Sequence, residues 1–299
     1  MREFIDALAR TPQSTIFLVA LGLTALRLVV FPVLRKTAKH LRGGGYSGAR
    51  GINEIADSLV YAAILIFFLV RPFVFQTFVI PTGSMVPTLL VGDYIGLNKA
   101  IYRYTEPKVF DIVVFRPPKI AVSPTQVDDA GNVNVDFVKR LIGTPGDLVE
   151  LREGVLFRNG QRVEQPWVHY MSSIPGTNNT LYRDIDSSLL PRPLPSFKLV
   201  KRKGKVISLN YDNEYVNSGP LFGPPNVSPE FEPDTFAEGR ELVASPAEKV
   251  PEGYYLFMGD NRFNSFDGRG WGLVPKEAIV GRAEFIWLPF NRIGSLRGR

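Results

Sequence analysis

FVKRLIGTPGDLVELREGVLFRNGQRV, residues 137 to 163, carries the pattern that settles the fold class. Phe137 to Ile142 is a short apolar run. Leu148 to Val163 then carries Glu153-Gly154 and Asn159-Gly160, two dipeptides suited to tight hairpin turns. The spacing predicts strands joined by hairpins, hence antiparallel pairing. Similar short apolar runs recur at Phe110 to Phe115, Tyr254 to Met258 and Ile279 to Leu288. Residues 165 to 250 are rich in Pro, Ser and Asn with weak periodicity, and read as a large insertion between two strand-rich blocks.

Upstream the pattern changes. Ile16 to Leu34 contains thirteen Leu, Val, Ile or Phe residues and a single charge, Arg27. As a helix it would span roughly 28 Å, close to the hydrocarbon thickness of a bilayer. Arg27 would cost about 3 kcal/mol at the centre, which the apolar residues outweigh. A cleavable leader is the competing reading, but Arg35 and Lys36 follow the run where small residues would mark a cleavage site. A second segment, 53 to 72, has an apolar heart from Leu59 to Val70 and ends at Arg71-Pro72. Between them Arg35, Lys36, Lys39, Arg42 and Arg50 make a basic loop, whereas the N-terminal stretch balances Arg2 and Arg10 against Glu3 and Asp6. Positive charge marks the cytoplasmic side, so the expectation is two transmembrane helices with everything after Arg71 outside the cytoplasm.

The expected organisation is therefore a first span at about 16 to 34 with its basic loop in residues 1 to 52, and a second span at 53 to 72. A mainly β catalytic domain of residues 73 to 164 and 251 to 299 follows, with 165 to 250 as a β-rich second part. Composition narrows the chemistry. The 299 residues include no cysteine and two histidines, His40 and His169, so thiolate chemistry is excluded and a Ser/His/Asp triad or histidine-rich metal site is poorly supplied. The net charge of +6 comes without a nucleic-acid-binding motif and clusters beside the apolar segments. No nucleic acid partner, metal or cofactor is expected.

Two residues stand out. Phe78-Val-Ile-Pro-Thr-Gly-Ser84-Met85-Val-Pro87 places a serine in a turn stiffened by Pro81 and Pro87. Lys139 interrupts an apolar strand pattern, where most lysines would occupy a solvated face. A serine hydroxyl needs a base, and a neutral lysine amine serves if burial brings its pKa from about 10.4 to near 7.5, a penalty of roughly 4 kcal/mol on the charged form.

Three runs in this order resemble the motifs of bacterial type I signal peptidases: Gly83-Ser-Met-Val-Pro-Thr88, Lys139-Arg-Leu-Ile-Gly-Thr-Pro-Gly-Asp147, and Gly259-Asp-Asn-Arg-Phe-Asn-Ser-Phe-Asp-Gly-Arg269. The resemblance covers the two-span organisation and most of residues 73 to 160 and 251 to 290. It departs from the commonest pattern at Phe263, Phe266, Gly268 and Gly270, and it is loose across the insertion, which looks like those of Gram-negative enzymes.

That resemblance implies a membrane-bound serine endopeptidase with Ser84 as nucleophile and Lys139 as general base, removing signal peptides of the Ala-x-Ala type from precursor proteins at the periplasmic face of the inner membrane. It implies an oxyanion site made by the Ser84 N–H and the Thr82 hydroxyl. Ser265 would orient the lysine amine, supported by an Asp267–Arg269 ion pair and by Asp260 and Asn261. Phe78, Ile80, Phe137 and Val138 would line shallow pockets for small side chains. The implied partners are membrane-held precursors and the lipid bilayer. A self-cleaving Ser/Lys repressor and a non-catalytic membrane-anchored β scaffold stand as alternatives.

Overall fold

The computed structural model describes residues 13–36, 43–63, 75–173, 182–184, 194, 196–211 and 236–298. The chain divides into two compact units, Met1–Thr77 and Phe78–Arg299.

The first unit contains helices α1 (Gln13–Lys36) and α2 (Gly44–Ala63). Within α1, Leu18–Lys36 is long and apolar enough to cross a membrane, the one such helix among the described residues. Helix α2 begins nine residues before the second span was expected, so Arg50 lies inside a helix and not in a loop; there it pairs with Glu54 one turn on. The apolar remainder of that span, residues 64 to 74, lies outside the described residues. Arg27, which reads as an isolated cost in the sequence, faces Asp57 of α2 with 2.5 Å between Nη1 and Oδ1.

The second unit is built on an eight-stranded sheet. Its strands are β1 (Phe75–Val79), β2 (Tyr94–Asn98), β3 (Ile112–Phe115), β4 (Phe137–Gly143), β12 (Tyr254–Met258), β13 (Val274–Pro275), β14 (Ile279–Leu288) and β15 (Gly294–Ser295). They lie in the order β1-β2-β14-β3-β4-β12-β13, with β15 added to β14. From β2 to β13 every pairing is antiparallel. The expected mainly β antiparallel class therefore holds. Strands β12 and β14 fall on the expected bounds. Strand β3 starts two residues late, because Phe110 adopts φ +75°, turning the chain so that its N–H reaches the Leu141 carbonyl at 2.7 Å.

Successive side chains of β3 alternate between two apolar layers. Ile112 and Val114 join Ile80, Met85, Leu89, Ile95 and Leu97 on one face, while Val113 and Phe115 join Leu141, Phe257, Trp271 and Val274 on the other. A strand covered on both faces explains an unbroken Ile-Val-Val-Phe run.

A five-stranded sheet in the order β11-β10-β5-β6-β7 combines β5 (Val149–Arg152), β6 (Val155–Arg158) and β7 (Gln161–Arg162) with β10 (Ser196–Arg202) and β11 (Lys205–Tyr211) of the insertion. Both expected hairpins form: Glu153-Gly154 and Asn159-Gly160 have φ of 50°, 81°, 52° and 78°, as primed turns require. The hairpin strands β5 to β7, expected in the catalytic block, thus share a sheet with insertion strands. Helix α3 (Phe236–Ala244) is held at both ends by β10, through Arg202 to Glu238 at 2.8 Å and Lys198 Nζ to the Val243 carbonyl at 2.6 Å. Strands β8 (Met171–Ser173) and β9 (Tyr182–Asp184) form a separate pair.

Gly281 in β14 shows how closely the main sheet is drawn together. A Cβ there would meet the Asn98 carbonyl and, at 3.0 Å, the Lys99 Cα. Since these are backbone atoms, the sheet would have to part. Gly281→Ala is expected to lower stability by about 1–3 kcal/mol, read as a reduced urea midpoint with unchanged slope.

Candidate active site

The nucleophile candidate is set by a short turn. Residues 83 to 85 form a single 3-10 turn after the extended Thr82 (φ −134°, ψ 158°), and the Val86 N–H closes it on the Gly83 carbonyl at 3.2 Å. Ser84 is 8% exposed. Strand β4 brings Lys139 alongside, 5% exposed, with Nζ 2.7 Å from Ser84 Oγ. The amine also donates to the Val138 carbonyl at 3.2 Å and lies 5.4 Å from the centre of the Phe137 ring.

Burial pushes the Lys139 amine down to about 8, against smaller upward pulls from Asp267 and Asp260. Those pulls stay small for a visible reason. Asp260 is locked to Arg140, Nε to Oδ1 at 2.8 Å and Nη2 to Oδ2 at 2.7 Å, each side chain 1% exposed. Asp267 is gripped by Arg269, Nε to Oδ1 at 2.8 Å and Nη2 to Oδ2 at 2.9 Å. Burial alone would raise the Asp267 carboxyl, but Arg269, aided by the Gly259 N–H and Ser265, holds it below the usual carboxylate range. Each carboxylate near the amine thus carries its own cation.

The segment after β12 ties the pieces together. Asn261 N–H donates to the Ser84 carbonyl at 3.1 Å, and its Nδ2 reaches the Gly83 carbonyl at 3.3 Å. Gly259 N–H donates to Asp267 Oδ2 at 2.9 Å. A Cβ on Gly259 would come within 2.5 Å of the Ser84 carbonyl oxygen and collide with Ser265, so only glycine allows this approach.

The structure brings some of the expected residues together and not others. Ser84, Lys139, Asp260, Asn261, Asp267 and Arg269 converge. Thr82 immediately precedes the turn, exposed and with no hydrogen bond from its side chain to the turn's backbone. Ser265 does not hydrogen-bond the amine as expected: its buried Oγ lies over Gly259 and helps lower the Asp267 carboxyl instead, while Lys139 is satisfied by Ser84 and Val138. Phe78, Ile80 and Val138 pack with Met85 in one layer, but Phe137 points to the opposite face of β4 and packs with the layer of Val113 and Trp271. Four expected pocket residues therefore do not form one wall.

Three contributors went unread in the sequence. Thr88 donates to Asp260 Oδ2 at 2.6 Å, Trp167 stacks on the Arg140 guanidinium at 4.4 Å, and the His169 N–H donates to the Asp260 carbonyl at 2.9 Å. A second charge beside Lys139 in an apolar strand was the available signal, since a buried arginine demands a partner. The arrangement can carry out acyl transfer to a serine hydroxyl with an uncharged amine as proton acceptor.

The chain is similar to known proteins over most of its length. Residues 52–288 match the family model described as signal peptidase, peptidase S26. Signal peptidase I of Aquifex aeolicus is 33% identical over 233 residues, covering 76% of this chain and 81% of that one. Signal peptidase I of Rickettsia akari is 31% identical over 247 residues, covering 75% of each. Probable signal peptidase I-1 of Synechocystis is 28% identical over 238 residues, covering 80% of this chain and 84% of that one.

Because the folded amine titrates near 8 and the unfolded one near 10.5, its burial penalty is full below pH 8 and fades as pH rises to 10.5. Lys139→Met is therefore expected to raise the melting temperature by several degrees at pH 7, with the gain shrinking through that window; thermal scans at pH 7 and 10 check it. Gly259→Ala is expected to displace the Ser84 carbonyl and reduce turnover at least tenfold.

Proposed function

The chain belongs to the signal peptidase family, peptidase S26, and is a serine endopeptidase; from this premise we propose that Ser84 and Lys139 are its catalytic dyad and that it removes signal peptides from secretory precursors. The observation that carries the reading is the 2.7 Å separation of Lys139 Nζ and Ser84 Oγ in a buried setting that keeps the amine near 8.

In this reaction Ser84 Oγ attacks the scissile carbonyl carbon while its proton passes to the uncharged Nζ. Collapse of the tetrahedral intermediate breaks the C–N bond, and Lys139 returns the proton to the departing amine. Water then attacks the acyl ester, again losing a proton to Lys139, and Ser84 is released with its hydroxyl restored. The Ser84 N–H and the Thr82 hydroxyl meet the oxyanion; Thr82 suits this because its exposed side chain is not spent on capping the turn.

The precursor lies extended beside Phe78, Ile80 and Val138. Ile80 and Met85 are 3% and 1% exposed, so the floor of this wall is closed, which favours small residues such as alanine before the cut. Helix α1 anchors the chain in the bilayer and α2 belongs to a second span, leaving Arg35 and Lys36 cytoplasmic and the β unit on the periplasmic side. The Arg27–Asp57 pair supports two adjoining spans, because each charge lowers the cost of the other in lipid.

Detergent-solubilised protein given a precursor whose leader ends in Ala-x-Ala is expected to cut it once, after that alanine. Ser84→Ala and Lys139→Ala should each lower kcat by at least about 10⁴-fold without loss of fold. For the wild type, kcat/KM should fall tenfold per pH unit below about 7 and level off above the amine's value near 8. Full activity in either variant would refute the dyad.

A further inference from the structure

Among the described residues, the Asn261 side chain links the insertion to the nucleophile turn. Asn261 Oδ1 accepts from the Met171 N–H at 3.0 Å and its Nδ2 donates to the Met171 carbonyl at 3.0 Å, while the same Nδ2 and the Asn261 N–H hold the Gly83 and Ser84 carbonyls. His169 runs parallel to Asn261, its carbonyl accepting from the Arg262 N–H at 2.9 Å. Whatever is attached to this bridge is registered to Ser84.

Attached to it is a pair of aromatic rings. Tyr170 and Phe263 meet edge to face with centroids 4.9 Å apart. Tyr170 is half-buried, whereas Phe263 is 41% exposed. Phe263 is two positions on from Asn261, at most about 7 Å of chain. Adding the 3.1 Å hydrogen bond places the Phe263 backbone within about 10 Å of the Ser84 carbonyl. An extended peptide advances about 3.3 Å per residue, so this is the reach of about three residues.

The two flanks of the turn divide the substrate. Residues before the cut lie along Phe78, Ile80 and Val138. Tyr170 and Phe263, tied to the turn through the Asn261 bridge, are not part of that apolar layer, which leaves them to the departing half of the substrate.

We propose that Tyr170 and Phe263 form an apolar subsite for the first three residues after the scissile bond, favouring an apolar or aromatic side chain there over a charged one. This rests on the assignment of Ser84 as nucleophile. An exposed ring could instead rest on a lipid surface, but lipid contact needs no registration to Ser84, and the Asn261 bridge supplies that registration.

The test uses the full solubilised chain and peptides sharing one Ala-x-Ala leader, with Phe, Ala or Asp at each of the first three positions after the cut. Wild type should prefer Phe over Asp at one of these positions. Phe263→Ala should lower kcat/KM about five- to tenfold for that Phe peptide, mainly through KM, and leave the Ala peptide unchanged; Phe263→Trp should retain the preference. Equal loss for all peptides, no loss for any, or a change confined to liposome binding would overturn the subsite while leaving the dyad intact. Cleavage retained by Ser84→Ala would overturn both.

Discussion

A lysine amine held out of water beside a serine hydroxyl is the constraint around which the β unit is arranged. Isolated, a buried ammonium is costly, and a nearby unpaired carboxylate would stabilise it and raise its pKa. The protein meets both conditions by pairing: Asp260 is spent on Arg140 and Asp267 on Arg269, so the amine lies between ion pairs whose charges largely cancel. Desolvation then dominates, and Lys139 becomes able to accept a proton near neutral pH.

That arrangement depends on backbone approach as much as on charge. Strand β4 delivers Lys139 and Arg140 from opposite faces, the turn at Gly83 to Met85 delivers Ser84, and the segment from Gly259 to Arg269 fastens one to the other. Gly259 lets Ser265 and the Ser84 carbonyl close over it, and Asn261 binds the turn's carbonyls. Arg140 reaches across to Asp260 while Trp167, from the edge of the insertion, covers its guanidinium. The insertion is therefore joined to the catalytic segment at Trp167, His169 and Met171.

Much of this was legible in the sequence because local rules act locally. Asn159-Gly160 and Glu153-Gly154 favour the left-handed backbone of tight turns, and the short apolar run from Tyr254 to Met258 suits a strand, which forms with all but Tyr254 buried. Lys139 stood out because a lysine breaking an apolar strand is anomalous, and the fold sets its amine 2.7 Å from Ser84 Oγ. What escaped depends on tertiary partners. Arg27 reads as a cost until Asp57 faces it. Strands β10 and β11 turn at Lys203-Gly204, a dipeptide with little turn signature, and join the sheet through the pairing of β10 with β5. Phe137 and Val138 look interchangeable as apolar neighbours, yet strand alternation sends them to opposite layers. Ser265 lies near the site but is directed by its contact with Gly259, which no spacing rule encodes.

The most direct measurement of the central claim is the titration of Lys139 itself, followed by NMR in protein labelled at lysine Cε, with Lys139→Met to assign the resonance. The account predicts a midpoint near 8 in the folded protein, moving to about 10.5 on unfolding. A midpoint near 10.5 in the folded state would contradict it, for the amine would then be charged at neutral pH and unable to take the Ser84 proton.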